Sequence, residues 1–258
     1  MREPDAVDAA RVLALALLAI AATILLVWAG VDVAFAGAFQ QVAFLAAPLL
    51  YARAAGLRPL RSSGFVPIPL RGIAFVLIAS LGSFWLLNGL THVQTEVIRR
   101  LGYESKAREE EEHIRQGIEQ AQKQGALPAL SLFVLIPPFC EETFFRGILF
   151  RGLLARFGAG VALASTSLLF AFLHQKIVQT GLMIFLGCYF GTLVYLTGSL
   201  WSSILAHGVN NLAVLTLMWI YKGKLPEFTA PWWMYALSAA VFASGMTLLA
   251  LDRKPAKA

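Results

Sequence analysis

The sequence predicts an all-α fold, a polytopic membrane bundle of about eight transmembrane helices, and three observations carry that expectation. Hydrophobic residues make up 58% of the 258-residue chain and charged residues only 14%, where an ordinary soluble domain holds about a quarter charged. Mean hydropathy is +0.69. The apolar excess runs along nearly the whole chain rather than gathering in one core, in runs close to the roughly 20 residues a helix needs to cross a bilayer.

The first run, from about Val12 to Ala29, follows Arg11, and Ala-Phe-Ala at 34–36 resembles a small-residue cleavage site. The run is longer than the apolar region of a signal peptide, so a retained first helix near 12–31 is expected. Further spans are expected near 38–56, 70–92, 128–150, 160–175, 177–197, 200–221 and 232–251. Pro48 falls inside the second and Pro137-Pro138 inside the fourth, where neighbouring helices must satisfy the carbonyls that proline leaves free. Gly181, Gly187 and Gly191 in the sixth suit close helix packing. Trp201, Trp219, Trp232 and Trp233 near span ends read as an aromatic belt. Cys140 and Cys188 both sit in apolar segments and read as small packing residues.

Charge sorts the connections. Arg53, Arg58, Arg61 and Arg71 flank the second, Arg151 and Arg156 follow the fourth span, and Arg253, Lys254 and Lys257 end the chain. With eight spans all three groups fall on one side, which the positive-inside rule makes cytoplasmic together with both termini. The net charge of +6 therefore sets orientation and gives no indication of nucleic acid. The connection 93–127 differs: "ESKAREEEEHIRQGIEQAQKQ" mixes both signs at helical spacings such as Glu111–Arg115 and Glu119–Lys123, the pattern of a solvated helix. His113 within it reads as a surface residue.

Several polar residues remain that lipid does not explain. "PPFCEETFFRGILFRGL" (137–153) places Glu141, Glu142 and Arg146 in an apolar stretch. Phe170 precedes His174 by four, and His207 precedes Asn211 by four. Residues four apart share a helix face, so His207 and Asn211 look into one space and Glu142 can pair with Arg146. Glu141 is turned away by about 100°. An ionisable group at mid-membrane costs roughly 2.5–3.5 kcal/mol, which three helices offset by gathering these groups around one hydrated cavity. Taken singly, Glu142–Arg146 reads equally well as a structural ion pair and each histidine as a satisfied bundle residue.

A carboxylate and an imidazole can together take a proton from water, and a second imidazole with an amide can stabilise an oxyanion. Those ingredients suit peptide-bond hydrolysis. No serine sits in a nucleophile elbow and no H-E-x-x-H helix is present; a covalent route through Cys140 is disfavoured by its apolar setting.

Glu141-Glu142-Thr-Phe-Phe-Arg146 reads E-E-x-x-x-R, Phe170…His174 reads F-x-x-x-H and His207…Asn211 reads H-x-x-x-N. In this order, with Gly147 after the arginine, the set resembles the signature of the CPBP family (CAAX proteases and bacteriocin-processing enzymes), also called Abi or Rce-type intramembrane proteases. The resemblance covers about 128–215. It divides the chain into N-terminal helices with the charged loop (1–127), a catalytic helical core (128–221) and a last helix with a basic tail (222–258).

The resemblance implies that Glu141 and His174 activate water, His207 and Asn211 stabilise the oxyanion, Glu142 and Arg146 support Glu141, and Phe170 packs below His174. It implies a metal-free mechanism with no cofactor; zinc held by Glu141, His174 and His207 is the alternative by ligand type. The expected partners are the lipid bilayer and a membrane-anchored protein or peptide cut near its C-terminus, in a bacterial-type inner or plasma membrane. Two other readings stand beside the protease: a non-enzymatic immunity or scaffold protein, and a proton-coupled transporter, since intramembrane Glu and His also suit proton movement. The sequence specifies neither substrate nor oligomeric state.

Overall fold

The computed structural model describes residues 2–123, 125–174, 179–221 and 230–253. These form α1 (Ala6–Trp28), α2 (Val33–Ala54), a short α3 (Pro59–Ser62), α4 (Leu70–Arg100), α5 (Glu104–Lys123), α6 (Ala126–Leu130), α7 (Ile136–Glu142), α8 (Phe150–His174), α9 (Thr180–Thr197), α10 (Leu200–Ile220) and α11 (Trp232–Asp252). π-helical segments at Ser131–Leu135 and Thr143–Leu149 join α6 to α7 and α7 to α8. No strand occurs among the described residues. Seven of these helical stretches are long and apolar enough to cross a membrane, so the chain is an all-α polytopic bundle.

One stretch, Ala126–His174, holds 49 residues, about 73 Å at the helical rise and more than twice the roughly 30 Å hydrocarbon core. It does not run straight. Gly147 has ψ −124°, and Gly158 takes φ +79° and ψ 176°, a conformation only glycine adopts readily. Phe145 then meets Phe170 at 5.1 Å between ring centres, and Glu141 faces His174. The two pairs are centred on the same point of the sequence, next to Gly158, so this stretch is an antiparallel hairpin that supplies both the fourth and the fifth expected spans.

Helix ends follow local chemistry. α1 begins six residues before its expected start because Asp5 accepts from the Val7 and Asp8 amides while Asp8 answers Asp5 N–H, a reciprocal capping box. α4 continues past residue 92 to Arg100, where Arg100 bonds Glu96 at 2.7 Å; its 31 residues exceed the hydrocarbon thickness, so these turns lie beyond it. α5 is the expected charged helix. Arg115 pairs with both Glu112 and Glu119, and its hydrogen bond pulls the Glu112 carboxyl down to about 2. The Glu111 side chain lies outside the described residues.

The arginine groups meet at one end of the bundle. Asp5's carbonyl touches Gly152, Arg151 lies over Gly64 and donates to the Gly198 carbonyl at 2.6 Å, Arg71 pairs with Asp252 at 2.7 Å, and Arg253 lies over Tyr195. Lys254 and Lys257 lie outside the described residues.

The close packing expected of α9's glycines is observed: a Cβ on Gly187 would stand 2.8 Å from Ser167 Cα and one on Gly191 2.7 Å from Leu163. α4 and α11 also approach closely. A Cβ on Gly82 would fall 2.2 Å from the Phe242 amide nitrogen, and backbone does not yield cheaply. Gly82→Ala is therefore expected to lower stability by about 1–3 kcal/mol through overpacking, read as a lower thermal midpoint in detergent. Gly117→Ala on α5, where a Cβ meets nothing within 4 Å, is the control and should not lower it.

Candidate active site

The Pro137-Pro138 pair shapes the site first. Pro137 has no amide hydrogen to give the Phe133 carbonyl, four residues earlier. Asn211 of α10 supplies the missing donor, its Nδ2 reaching Phe133 O at 2.9 Å. Asn210 donates to Asn211 Oδ1 at 3.2 Å, so both ends of the Asn211 amide are fixed. One of its two N–H groups remains for another acceptor.

Glu141 and Glu142 then diverge, as one helical step of about 100° requires. Glu142 turns toward α10. Its Oε1 accepts from Arg146 Nη1 at 3.0 Å and lies 3.0 Å from His207 Nδ1. Arg146 also donates to the Gly187 carbonyl at 3.1 Å, and its guanidinium sits 4.7 Å from the centre of the Phe170 ring and 5.7 Å from that of Phe190. Glu142 and Arg146 are both completely buried. A carboxylate only accepts, so His207 donates from Nδ1 and its Nε2 is left for other partners. Phe190 stacks on the His207 ring at 4.9 Å.

Glu141 turns the other way, toward α2. Gln41 Nε2 donates to Glu141 Oε1 at 2.9 Å. Glu141 Oε2 is buried with no hydrogen-bond partner among the described residues and stands 3.9 Å from His174 Nε2. His174 Nδ1 lies 2.7 Å from the Phe170 carbonyl, which can only accept, so Nδ1 carries a proton and Nε2 of that tautomer presents a lone pair. The Phe170 ring packs against His174 at 4.3 Å and meets His207 at 6.1 Å; it thus stands between the two histidines. A cavity of about 110 Å³ adjoins Glu141 and His174, walled by Gln40, Phe44, Phe145 and Leu173. That is room for a few waters.

The structure thus brings Glu141 and His174 together at the cavity and places Glu142, Arg146 and His207 in a buried cluster behind it. His207 and Asn211 do not line that cavity. Among the described residues no three His, Cys, Asp or Glu side chains converge as a metal site. Glu141, His174 and His207, the ligands of the zinc alternative, are not gathered as one such group; Glu142 holds His207 by Nδ1 and leaves Nε2 open. Gln40 and Gln41 are the site residues that motif reading misses. Their signal is present all the same: two adjacent amides in the otherwise apolar run from Val33 to Leu50.

Residues 123–213 match the family model described as type II CAAX prenyl endopeptidase Rce1-like. No curated protein and no solved structure matches the chain. The matched segment runs from α6 into α10 and holds all three motifs, so this part of the multi-pass membrane protein is similar to the Rce1-like type II CAAX prenyl endopeptidases.

Proposed function

We propose that the protein hydrolyses a peptide bond near the C-terminus of a membrane-anchored protein or peptide, with Glu141 and His174 activating water and no metal taking part. The observation that carries this reading is the 3.9 Å gap between Glu141 Oε2 and His174 Nε2. Both atoms are acceptors, and they face each other across a space that suits one bridging water. Such a water gives one hydrogen bond to each and keeps an oxygen lone pair for a carbonyl carbon. As that oxygen attacks, its proton passes to the Glu141–His174 pair. The pair returns it to the departing amine when the tetrahedral intermediate collapses.

The oxyanion falls to His207 Nε2 and the second N–H of Asn211. In that role His207 donates from Nε2 as it donates from Nδ1 to Glu142. Asn211, tied to Phe133 and Asn210, donates without reorganising, which is what makes such donors effective. Phe170 and the Glu142–Arg146 pair hold the two histidines in register. The arginine-rich end faces the cytoplasm, with both chain termini on that side of a plasma-type membrane. The decisive experiment compares C-terminal and membrane-retained peptides in cells with the wild-type protein and cells with Glu141→Ala. Uncleaved precursors accumulate only in the variant cells if the reading holds, and identical peptide profiles reject it.

A further inference from the structure

α2 lies outside the segment that matches the family, yet it enters the site. Gln41 Nε2 reaches Glu141 Oε1 at 2.9 Å across 100 residues of sequence. Its depth is set by packing: three residues on, Phe44 is buried and stacks on Phe144 at 4.9 Å with the ring planes only 13° apart, and it meets Phe145 edge-on at 6.0 Å. α2 therefore docks against the helix carrying Glu141 through an aromatic contact that leaves Gln41 little freedom.

The hydrogen bond makes the two oxygens of one carboxylate different. Oε1 is held by the amide, and Oε2, buried and with no hydrogen-bond partner among the described residues, is left at His174. A glutamate's terminal torsion is broad, so without the amide the carboxylate plane could rotate and carry its oxygens out of line with His174. The choice of side chain matters as well. An arginine or lysine here would pair with Glu141 and weaken it as a base, whereas a neutral amide orients the carboxylate without adding a charge beside it. We infer that Gln41 is a positioning residue of the reaction, fixing the plane of the Glu141 carboxylate through one oxygen so that the other stays aligned with water and His174. This rests on the proteolytic reading above.

The test uses full-length protein in proteoliposomes and, as probe, the precursor peptide that accumulates in Glu141→Ala cells. Gln41→Met keeps volume and removes the donor; Gln41→Asn keeps the amide but withdraws it by one methylene. Both should lower kcat by about 10- to 100-fold, a fraction of what a positioned general base contributes, with KM and the thermal midpoint unchanged. Loss of uniform binding would raise KM instead. Unchanged kcat in folded Gln41→Met and Gln41→Asn, or a loss that follows the thermal midpoint or KM, overturns the positioning role while leaving proteolysis intact. Full processing by Glu141→Ala removes the proteolytic reading and this inference with it.

Discussion

Glu141→Ala is expected to abolish processing while the protein still inserts and folds. Among the described residues Glu141's hydrogen-bond partner is Gln41, at Oε1, and Glu141 lines the cavity rather than the buried cluster. Deleting it releases one neutral amide toward a space large enough for water and leaves no buried charge unpaired, so stability should change little. Catalysis should not survive. A positioned general base contributes about 10²–10⁴-fold, and Glu141 in this mechanism also returns the proton to the leaving amine, so the fall should reach the upper part of that range or pass it. His174→Ala should fall similarly, and the double variant should be no worse than either single one, because groups that act as a unit lose activity once. Cleavage rates in proteoliposomes beside thermal midpoints in detergent give both readings. Full activity in a folded Glu141→Ala protein would leave the carboxylate without a chemical role. Loss of processing through surface changes in 93–127, with Glu141→Ala unimpaired, would favour a scaffold function instead.

Much of this arrangement was legible in the sequence, and the part that was not has a definite physical character. Spans follow from apolar runs because lipid penalises exposed backbone and charge wherever they fall. Helical spacing alone placed Glu142 with Arg146 and turned Glu141 elsewhere, and both are seen. Pro137 announced a free carbonyl, and Asn211 was found on it. Spacing along one helix says nothing, however, about how that helix is rotated against its neighbours. The partner of His207 could thus be foreseen only as some residue in the same space; packing of α10 against α7 selected Glu142. Gln41 was hidden for the same reason. Its role depends on α2, whose apolar sequence gives no preferred face, docking through Phe44. The fold-back at Gly158 was suggested by two separated runs, but its register appears only where Phe145 meets Phe170.

The Glu142–Arg146 pair should show the largest stability effect in the chain, and it separates stabilisation from orientation. Both side chains are fully buried at 3.0 Å, with three aromatic rings around the guanidinium. Arg146→Met leaves the Glu142 carboxylate buried with His207 and Ser203 as polar neighbours but no permanent cation. Glu142→Leu leaves the guanidinium with the Gly187 carbonyl alone. Removing one partner of a buried pair costs about 3–5 kcal/mol, and either variant should unfold in detergent well below the wild type. Replacing both by apolar residues of similar volume is often neutral or stabilising, so Glu142→Leu/Arg146→Met should recover most of the loss. Additive losses in the double variant would show that the two charges do not depend on each other. The recovered protein should nevertheless remain impaired in cleavage, because His207 has lost the carboxylate that holds its Nδ1 proton and leaves Nε2 for the oxyanion. A double variant both stable and fully active would reduce the pair to a dispensable ion bridge. A stable, slow one would show that this fold keeps a buried charge pair chiefly to aim a histidine.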